Sequence, residues 1–162
     1  MTVERSSVRT LVYGLGNPIL TDDAVGIRVV ERLQRMPGFS GVEFQTGSVG
    51  GLEVMEIILG YDRVFFVDAI KTKDGVPGMV YRFGLDDFRE TARLSNIHDL
   101  SFLTAIRLAK RFEQPLPRNI DIIAIEILED RVFAERMTPA LEDRFESICS
   151  EVGLSIRQLL SA

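Results

Sequence analysis

The sequence lacks several features that would assign it to particular classes of protein. Its single cysteine, Cys149, excludes an intrachain disulfide, suits a reducing cytoplasm and is most simply a core thiol. The net charge of −5 lacks the basic excess of a protein that binds nucleic acid or anionic membranes. No apolar run approaches the roughly 18–20 residues that span a bilayer. The polar segment Met1–Arg9 has no apolar core of a signal peptide. These absences predict a cytoplasmic protein that contacts neither nucleic acid nor membrane.

The residues that are present fit one globular unit. The chain has 162 residues, of which 46% are hydrophobic and 27% are charged, as in ordinary folded proteins. A domain of this size buries roughly 70% of the surface that its unfolded chain exposes, so it needs no disulfide or structural metal to be stable. No internal repeat, low-complexity tract or linker interrupts the sequence. We therefore predict a single domain over residues 1–162.

Strand and helix patterns alternate along the chain. The run 64–67 is apolar without alternation, which is typical of a strand covered on both faces. The predicted strands are 10–13, 42–45, 63–68, 79–83 (the candidate antiparallel member) and 120–127. The predicted helices are 24–35, 52–59, 98–112 and a C-terminal helix that Thr138 caps, Pro139 begins and Gly153 weakens. The pattern predicts an α/β protein: a three-layer α/β/α sandwich around a mostly parallel (mixed) twisted sheet, of the phosphorylase/hydrolase-like type.

Polar residues at the carboxyl ends of the predicted strands are the first candidates for a site, because open α/β sheets bind ligands there. Asp22 and Asp23 follow the first strand, where Asp22 can cap the next helix and Asp23, in its first turn, can favour the helix dipole. The same dipole keeps a carboxylate ionised, as a metal ligand must be. Asp68 ends an apolar strand, where an unpaired carboxylate is costly to bury. It therefore needs a capping role, a basic neighbour such as Lys71, or a metal.

His98 is the only histidine of the chain and begins a predicted helix. A lone histidine in such a place is more often structural than catalytic. Its position, however, allows it to reach the sheet edge that carries the two aspartates. Two carboxylates and one imidazole make a three-ligand set for a borderline divalent metal, with open positions left over. The candidate ligands are Asp23, Asp68 and His98.

Other polar and glycine residues have simpler interpretations. Gly14 and Gly16 give a weak dinucleotide signal, because Ile19 replaces the third glycine and no Walker lysine follows. We expect the loop 46–51 to form an anion nest or a flexible backbone that docks a peptide. Three acids follow the last strand and are candidates for the rim of the site, although solvated loop charge is the favoured interpretation: Glu126, Glu129 and Asp130.

One long motif carries a family resemblance. The run 11–28, Leu-Val-Tyr-Gly-Leu-Gly-Asn-Pro-Ile-Leu-Thr-Asp-Asp-Ala-Val-Gly-Ile-Arg, resembles the opening motif of hydrogenase maturation endopeptidases. These enzymes clip a C-terminal extension from the nickel-loaded large subunit of a nickel–iron hydrogenase. The resemblance continues in order and spacing with 66–69 (Phe-Val-Asp-Ala) and 97–100 (Ile-His-Asp-Leu), and it reaches Thr138. It therefore covers nearly the whole chain.

The resemblance implies a site and a substrate. In that family an acid of the first motif, a strand-end aspartate and a histidine engage the nickel of the precursor. By position these are Asp23, Asp68 and His98, which would be both the catalytic and the metal-binding residues. The implied enzyme is a monomeric aspartic-type or metal-assisted endopeptidase acting on a hydrogenase large-subunit precursor. The substrate supplies the nickel, so no tightly bound cofactor is expected. Thr46 stands where relatives often carry an aspartate, which leaves the recognition role of that loop open.

Three other functions remain open at this stage. A non-catalytic nickel-sensing assembly chaperone would use the same three ligands without cleaving anything. A phosphate- or nucleotide-binding domain would use the two glycine loops. A peptidyl-tRNA hydrolase-like enzyme shares the run 14–18, but its histidine follows soon afterwards, where this chain has Thr21, Asp22 and Asp23. Within the protease interpretation, the nickel is either catalytic or only a recognition tag, with Asp23 or Asp68 then acting as general base.

Overall fold

The computed structural model describes residues 7–48, 50–85, 87 and 101–162, and these contain one five-stranded sheet. Its strand order is β2-β1-β3-β5-β4. The strands are β1 (Thr10–Leu15), β2 (Val42–Gly47), β3 (Arg63–Ile70), β4 (Val80–Gly84) and β5 (Asn119–Glu126). All neighbouring pairs are parallel except β4, which runs antiparallel to β5 at one edge. The prediction of a mostly parallel, mixed sheet is confirmed, including its antiparallel member.

Helices cover both faces of this sheet. They are α1 (Val25–Leu33), α2 (Glu53–Ile58), α3 (Ser101–Arg111), α4 (Pro139–Glu142) and α5 (Phe145–Ser161), and a 3-10 turn at Thr21–Ala24 precedes α1. One apolar cluster joins the sheet to α1, α4 and α5, and a second joins its other face to α2 and α3. The predicted three-layer sandwich is therefore confirmed. Within the described ranges, no helix has the length and apolarity needed to cross a membrane.

Strand β3 lies at the centre of the sheet and shows why its sequence has no alternation. Phe65 and Val67 pack in the cluster with α1 and α5, whereas Val64 and Phe66 pack in the cluster with α2 and α3. Both faces are buried, so both sets of side chains are apolar. By the two-residue period of a strand, Asp68 shares the face of Phe66. That face is the one covered by α3.

The C-terminal helical region differs from the prediction. The break falls at residues 143–144, between α4 and α5, and not near Gly153. Gly153 lies inside α5, where an added Cβ would come within 3.0 Å of Leu33 Cδ2. This glycine allows α5 to pack closely on α1, so it reflects tight helix packing rather than a weak point. Pro139 begins α4 as predicted, but Thr138 gives the helix no side-chain cap.

Candidate active site

The carboxyl ends of β1 and β3 form the edge at which the predicted site should lie. Gly14 of β1 pairs in register with Val67 of β3, so Asp68 lies at the level where β1 ends. The chain leaves β1 towards β2 on one side and later returns to β3 on the other, which makes this a topological switch point. Asp68 is buried here, and its Oδ1 accepts a 2.8 Å hydrogen bond from the Ala69 N–H.

Asp23 is held at the same edge by glycines. A Cβ on Gly16 would fall well inside contact distance of the Asp23 carbonyl oxygen, and a Cβ on Gly26 would similarly clash with the Val67 carbonyl. The glycines therefore let the turn before α1 lie directly on the ends of β1 and β3. The half-buried Asp23 accepts a 2.9 Å hydrogen bond at Oδ2 from the Asn17 N–H. Close backbone packing therefore accounts for these glycines.

Asp22 does not have the capping role that the sequence predicted. It does not cap a helix, because neither the 3-10 turn nor α1 has a side-chain cap. Its side chain is fully buried, and its Oδ2 accepts hydrogen bonds from the N–H groups of Leu128 (3.1 Å) and Glu129 (3.0 Å). Its Oδ1 accepts from the Thr138 N–H (2.7 Å) and hydroxyl (3.0 Å). Such a carboxylate is an anchor between distant segments of the chain.

The segments that Asp22 joins form one hydrogen-bonded unit, which we call the paired loops (residues 19–22 and 128–138). The Thr21 N–H donates to the Ala134 carbonyl over 3.1 Å, and the Thr21 hydroxyl donates to the Val132 carbonyl. Thr21 has φ +49°, a left-handed conformation that non-glycine residues rarely adopt. The surrounding hydrogen bonds hold it there. The paired loops thus fix the backbone immediately before Asp23.

The third predicted ligand, His98, lies outside the described residues. Helix α3 begins three residues later, at Ser101, and its Leu103 and Ile106 pack with Phe66 on the face that Asp68 shares. Within residues 7–48, 50–85, 87 and 101–162, no three His, Cys, Asp or Glu side chains form a group that could hold a metal ion. The convergence of His98 with Asp23 and Asp68 therefore stays a prediction.

Glu126 is a buried carboxylate, so the prediction of a solvated loop charge is wrong for this residue. It is the last residue of β5 and is only 1% exposed, so it is not a solvated loop charge. Its carboxylate accepts hydrogen bonds from the Thr72 N–H (2.7 Å) and hydroxyl (3.0 Å). Since Asp68 pairs with Ala124, Glu126 is the diagonal neighbour of Asp68 on the same face. Burial, and after it the charge of Glu126, raises the pKa of Tyr81.

The other two acids after β5, Glu129 and Asp130, lie within the paired loops. Asp130 is buried and forms an ion pair with Lys71, with 3.3 Å between Oδ1 and Nζ. The expectation of a solvated charge is therefore wrong for Asp130 as well. Glu129 is half-buried, and its Oε1 accepts from the N–H groups of Arg131 (2.7 Å) and Val132 (3.2 Å). These contacts stabilise a turn inside the paired loops.

Two further predictions concern Thr46 and Cys149. Thr46 and Gly47 belong to β2, so the loop begins later than predicted. The Ser48 hydroxyl donates to the Gly16 carbonyl over 2.6 Å, which links this loop to the turn below Asp23. Cys149 is confirmed as a core thiol: it is buried on α5, and burial raises its pKa to about 12.

Comparison with known sequences identifies relatives along almost the whole chain. A family model described as hydrogenase maturation protease (HycI) matches residues 27–153. The hydrogenase 2 maturation protease of Escherichia coli (strain K12) is 30% identical over 158 residues, covering 93% of this chain and 92% of that protein. The hydrogenase expression/formation protein HupD of Thiocapsa roseopersicina is 28% identical over 166 residues, covering 95% of this chain and 73% of that protein.

Solved structures share the fold. The hydrogenase maturating endopeptidase HybD from Escherichia coli superposes with a TM-score of 0.73 at 26% identity, covering 93% of both chains. The NiFe hydrogenase maturation protease HybD from Thermococcus kodakarensis gives a TM-score of 0.71 at 20% identity, covering 89% of this chain and 96% of that one. These matches favour the maturation protease family over the nucleotide-binding and peptidyl-tRNA hydrolase alternatives. The chain belongs to the hydrogenase maturation protease family.

Proposed function

We propose that this protein is an endopeptidase that removes the C-terminal extension from a nickel-loaded large-subunit precursor of a nickel–iron hydrogenase. Membership of a protease family supports the peptidase activity, and the names of its relatives support a hydrogenase client. The observation that carries the proposal is the placement of two carboxylates. Asp23 follows β1, and Asp68 lies near the carboxyl end of the neighbouring parallel strand β3, at the switch point where α/β proteins bind ligands.

In this proposal the precursor brings the metal and the protease completes its coordination. Asp23 and Asp68 offer carboxylate oxygens, and His98 offers an imidazole nitrogen, a donor set that suits nickel. Nickel held in the substrate polarises the scissile carbonyl or activates the attacking water. Because the metal belongs to the substrate, the protease needs no tightly bound cofactor. Cleavage then follows nickel insertion and cannot precede it.

An alternative mechanism uses the same residues in different roles. If the nickel is only a recognition tag, Asp23 or Asp68 accepts a proton from the attacking water as general base. Replacing nickel in the precursor with zinc separates the two cases. A catalytic metal changes kcat when it is exchanged, because it takes part in the transition state. A recognition tag changes binding and KM, with kcat retained.

The test is a cleavage assay followed by mass spectrometry, with purified precursor in nickel-loaded and nickel-free forms. We expect the loaded form alone to lose a C-terminal peptide. Asp23→Asn, Asp68→Asn and His98→Ala should each abolish this loss. Asp74→Asn is the matched control, because Asp74 is an exposed aspartate in the loop after β3. Full cleavage by Asp68→Asn or His98→Ala would refute the proposed site. Nickel-dependent binding without cleavage would instead indicate an assembly chaperone.

A further inference from the structure

The paired loops carry four exposed apolar side chains. Ile19, Leu128, Val132 and Phe133 are 50%, 52%, 56% and 75% exposed, and we call these four residues the apolar patch. The two loops that carry them are directly linked, since the Ala134 N–H donates to the Ile19 carbonyl over 3.0 Å. Single exposed apolar residues are normal on protein surfaces, but a cluster surrounded by polar residues marks an interaction site. Exposed charged residues lie around the patch in sequence: Arg131, Glu135 and Arg136.

The backbone beneath the apolar patch is fixed before any partner arrives. The buried carboxylate of Asp22 accepts from the N–H of Leu128, a patch residue, and the Thr21 hydroxyl donates to the carbonyl of Val132, another. The turn at Glu129 adds two more hydrogen bonds within the same segment. A surface held in this way loses little conformational entropy on binding, which favours association.

The apolar patch is continuous with the candidate active site. The Asp22 N–H donates to the Glu129 carbonyl over 3.1 Å, and the next residue is Asp23. The loop that carries Ile19 and the loop that carries Phe133 both follow strands whose carboxyl ends form the edge with Asp68. A partner seated on the patch therefore lies next to the turn that carries Asp23. The substrate of a protease must come to this place.

We propose that the apolar patch docks the folded body of the protein substrate, beside the segment that is cleaved. This inference rests on the proposed function and adds the surface that recognises the client. A second copy of the chain would fit less well, because a lasting contact on the patch would obstruct the adjacent edge. A membrane would also fit less well, since the chain carries a net charge of −5 and anionic lipid headgroups repel it. A protein with an apolar surface around its cleavage segment satisfies both constraints.

Substitution of the most exposed patch residue tests the inference. Phe133→Ser should raise the KM for the nickel-loaded precursor about tenfold while kcat is retained, because an aromatic anchor acts in docking and not in chemistry. Its Kd for the precursor, measured by calorimetry in an Asp68→Asn background that stops turnover, should rise by about the same factor. Leu154→Ser is the matched control: Leu154 is 53% exposed but lies on α5, and we expect no change in either constant. Equal melting temperatures would show that both variants fold.

The outcomes separate the docking surface from the proposed function. Wild-type KM and Kd in the Phe133→Ser variant would overturn the docking proposal while cleavage persists. A dimer in sedimentation experiments that Phe133→Ser dissociates would assign the patch to self-association and also overturn it. Binding of the precursor that depends on Phe133, without any cleavage, would uphold the surface and reject the peptidase. A wild-type protein that neither binds nor cleaves the precursor would reject both.

Discussion

Asp22 and Asp23 are neighbours in one sequence motif, yet their carboxylates have different surroundings. Asp22 is fully buried and accepts hydrogen bonds from Leu128, Glu129 and Thr138, all more than 100 residues away. Asp23 is half-buried at the sheet edge and accepts from the nearby Asn17 N–H. The first carboxylate holds the fold together, and the second is placed where a ligand can arrive. The comparison shows that adjacent acids of one motif divide into an anchor and a candidate reactive group.

The largest expected effect on stability comes from removing the charge of the buried anchor, Asp22. Asp22→Asn replaces one acceptor oxygen by an N–H₂ group that faces the existing donors, so we expect a loss of about 3 kcal/mol in the free energy of unfolding. Asp23→Asn should lower it by only about 1 kcal/mol while abolishing cleavage, because the substitution weakens the hydrogen bond that Asp23 accepts from the Asn17 N–H. Urea denaturation measures both variants. Similar losses of stability in the two would remove the distinction between anchor and reactive group.

A second substitution moves Asp23 without altering its side chain. A Cβ at Gly16 would clash with the Asp23 carbonyl oxygen, so Gly16→Ala must displace the turn that positions this residue. We expect kcat/KM for the nickel-loaded precursor to fall roughly a hundredfold, since small misplacements of reacting groups have effects of this size. Ser40→Ala, at an exposed position before β2, serves as the control. An undiminished rate in Gly16→Ala would show that the position of Asp23 does not matter for cleavage.

Substitution of Glu126 tests whether this second buried carboxylate has a structural role, like Asp22, or takes part in the reaction, as proposed for Asp68. It holds the loop after β3 through the Thr72 N–H and hydroxyl. If Glu126 is an anchor, Glu126→Gln should lower the free energy of unfolding by about 1 kcal/mol and leave kcat unchanged. The pKa of Tyr81 should also fall towards its ordinary value, because the charge of Glu126 contributes to raising it. Loss of kcat with the fold intact would instead place Glu126 beside Asp68 in the reaction.

Cys149 provides a buried titratable group on α5, whose expected effect is absent at neutral pH. Burial raises its pKa from 9.0 to about 12, so the folded protein favours the neutral thiol. The unfolded chain loses this proton above pH 9, and the folded chain does so only near pH 12. The stabilisation is therefore complete below pH 9 and declines as the pH rises from 9 to 12. The stability of wild type relative to Cys149→Ala, measured by urea denaturation, should fall across this window and stay constant below it.

Much of the fold could be predicted from local patterns. The unalternating run 64–67 predicts a strand buried on both faces of a parallel sheet, and β3 confirms this prediction. These features depend on residues that are close in sequence, so periodicity and turn residues reveal them. The difference between Asp22 and Asp23 could not be predicted in this way. The hydrogen-bond donors to Asp22 come from the other end of the chain, and no local sequence pattern predicts them.

The misplaced acids after β5 have a related explanation. Glu126 and Asp130 sit in a charged stretch, which on sequence grounds is typical of a solvated loop. Their burial depends on partners from another segment, Thr72 for one and Lys71 for the other. The prediction of a weak point at Gly153 is wrong for a similar reason, because its close neighbour Leu33 lies on a different helix. Long-range contacts therefore decided each case in which the local pattern was wrong.

The role of the two edge carboxylates is tested by the mass of the nickel-loaded precursor after incubation with wild-type protein and with the Asp22→Asn, Asp23→Asn and Asp68→Asn variants. We expect loss of one C-terminal peptide with wild type, no cleavage with Asp23→Asn or Asp68→Asn, and cleavage by the fraction of Asp22→Asn that remains folded. Cleavage by a folded Asp68→Asn variant at the wild-type rate would show that the edge carboxylates do not process the precursor.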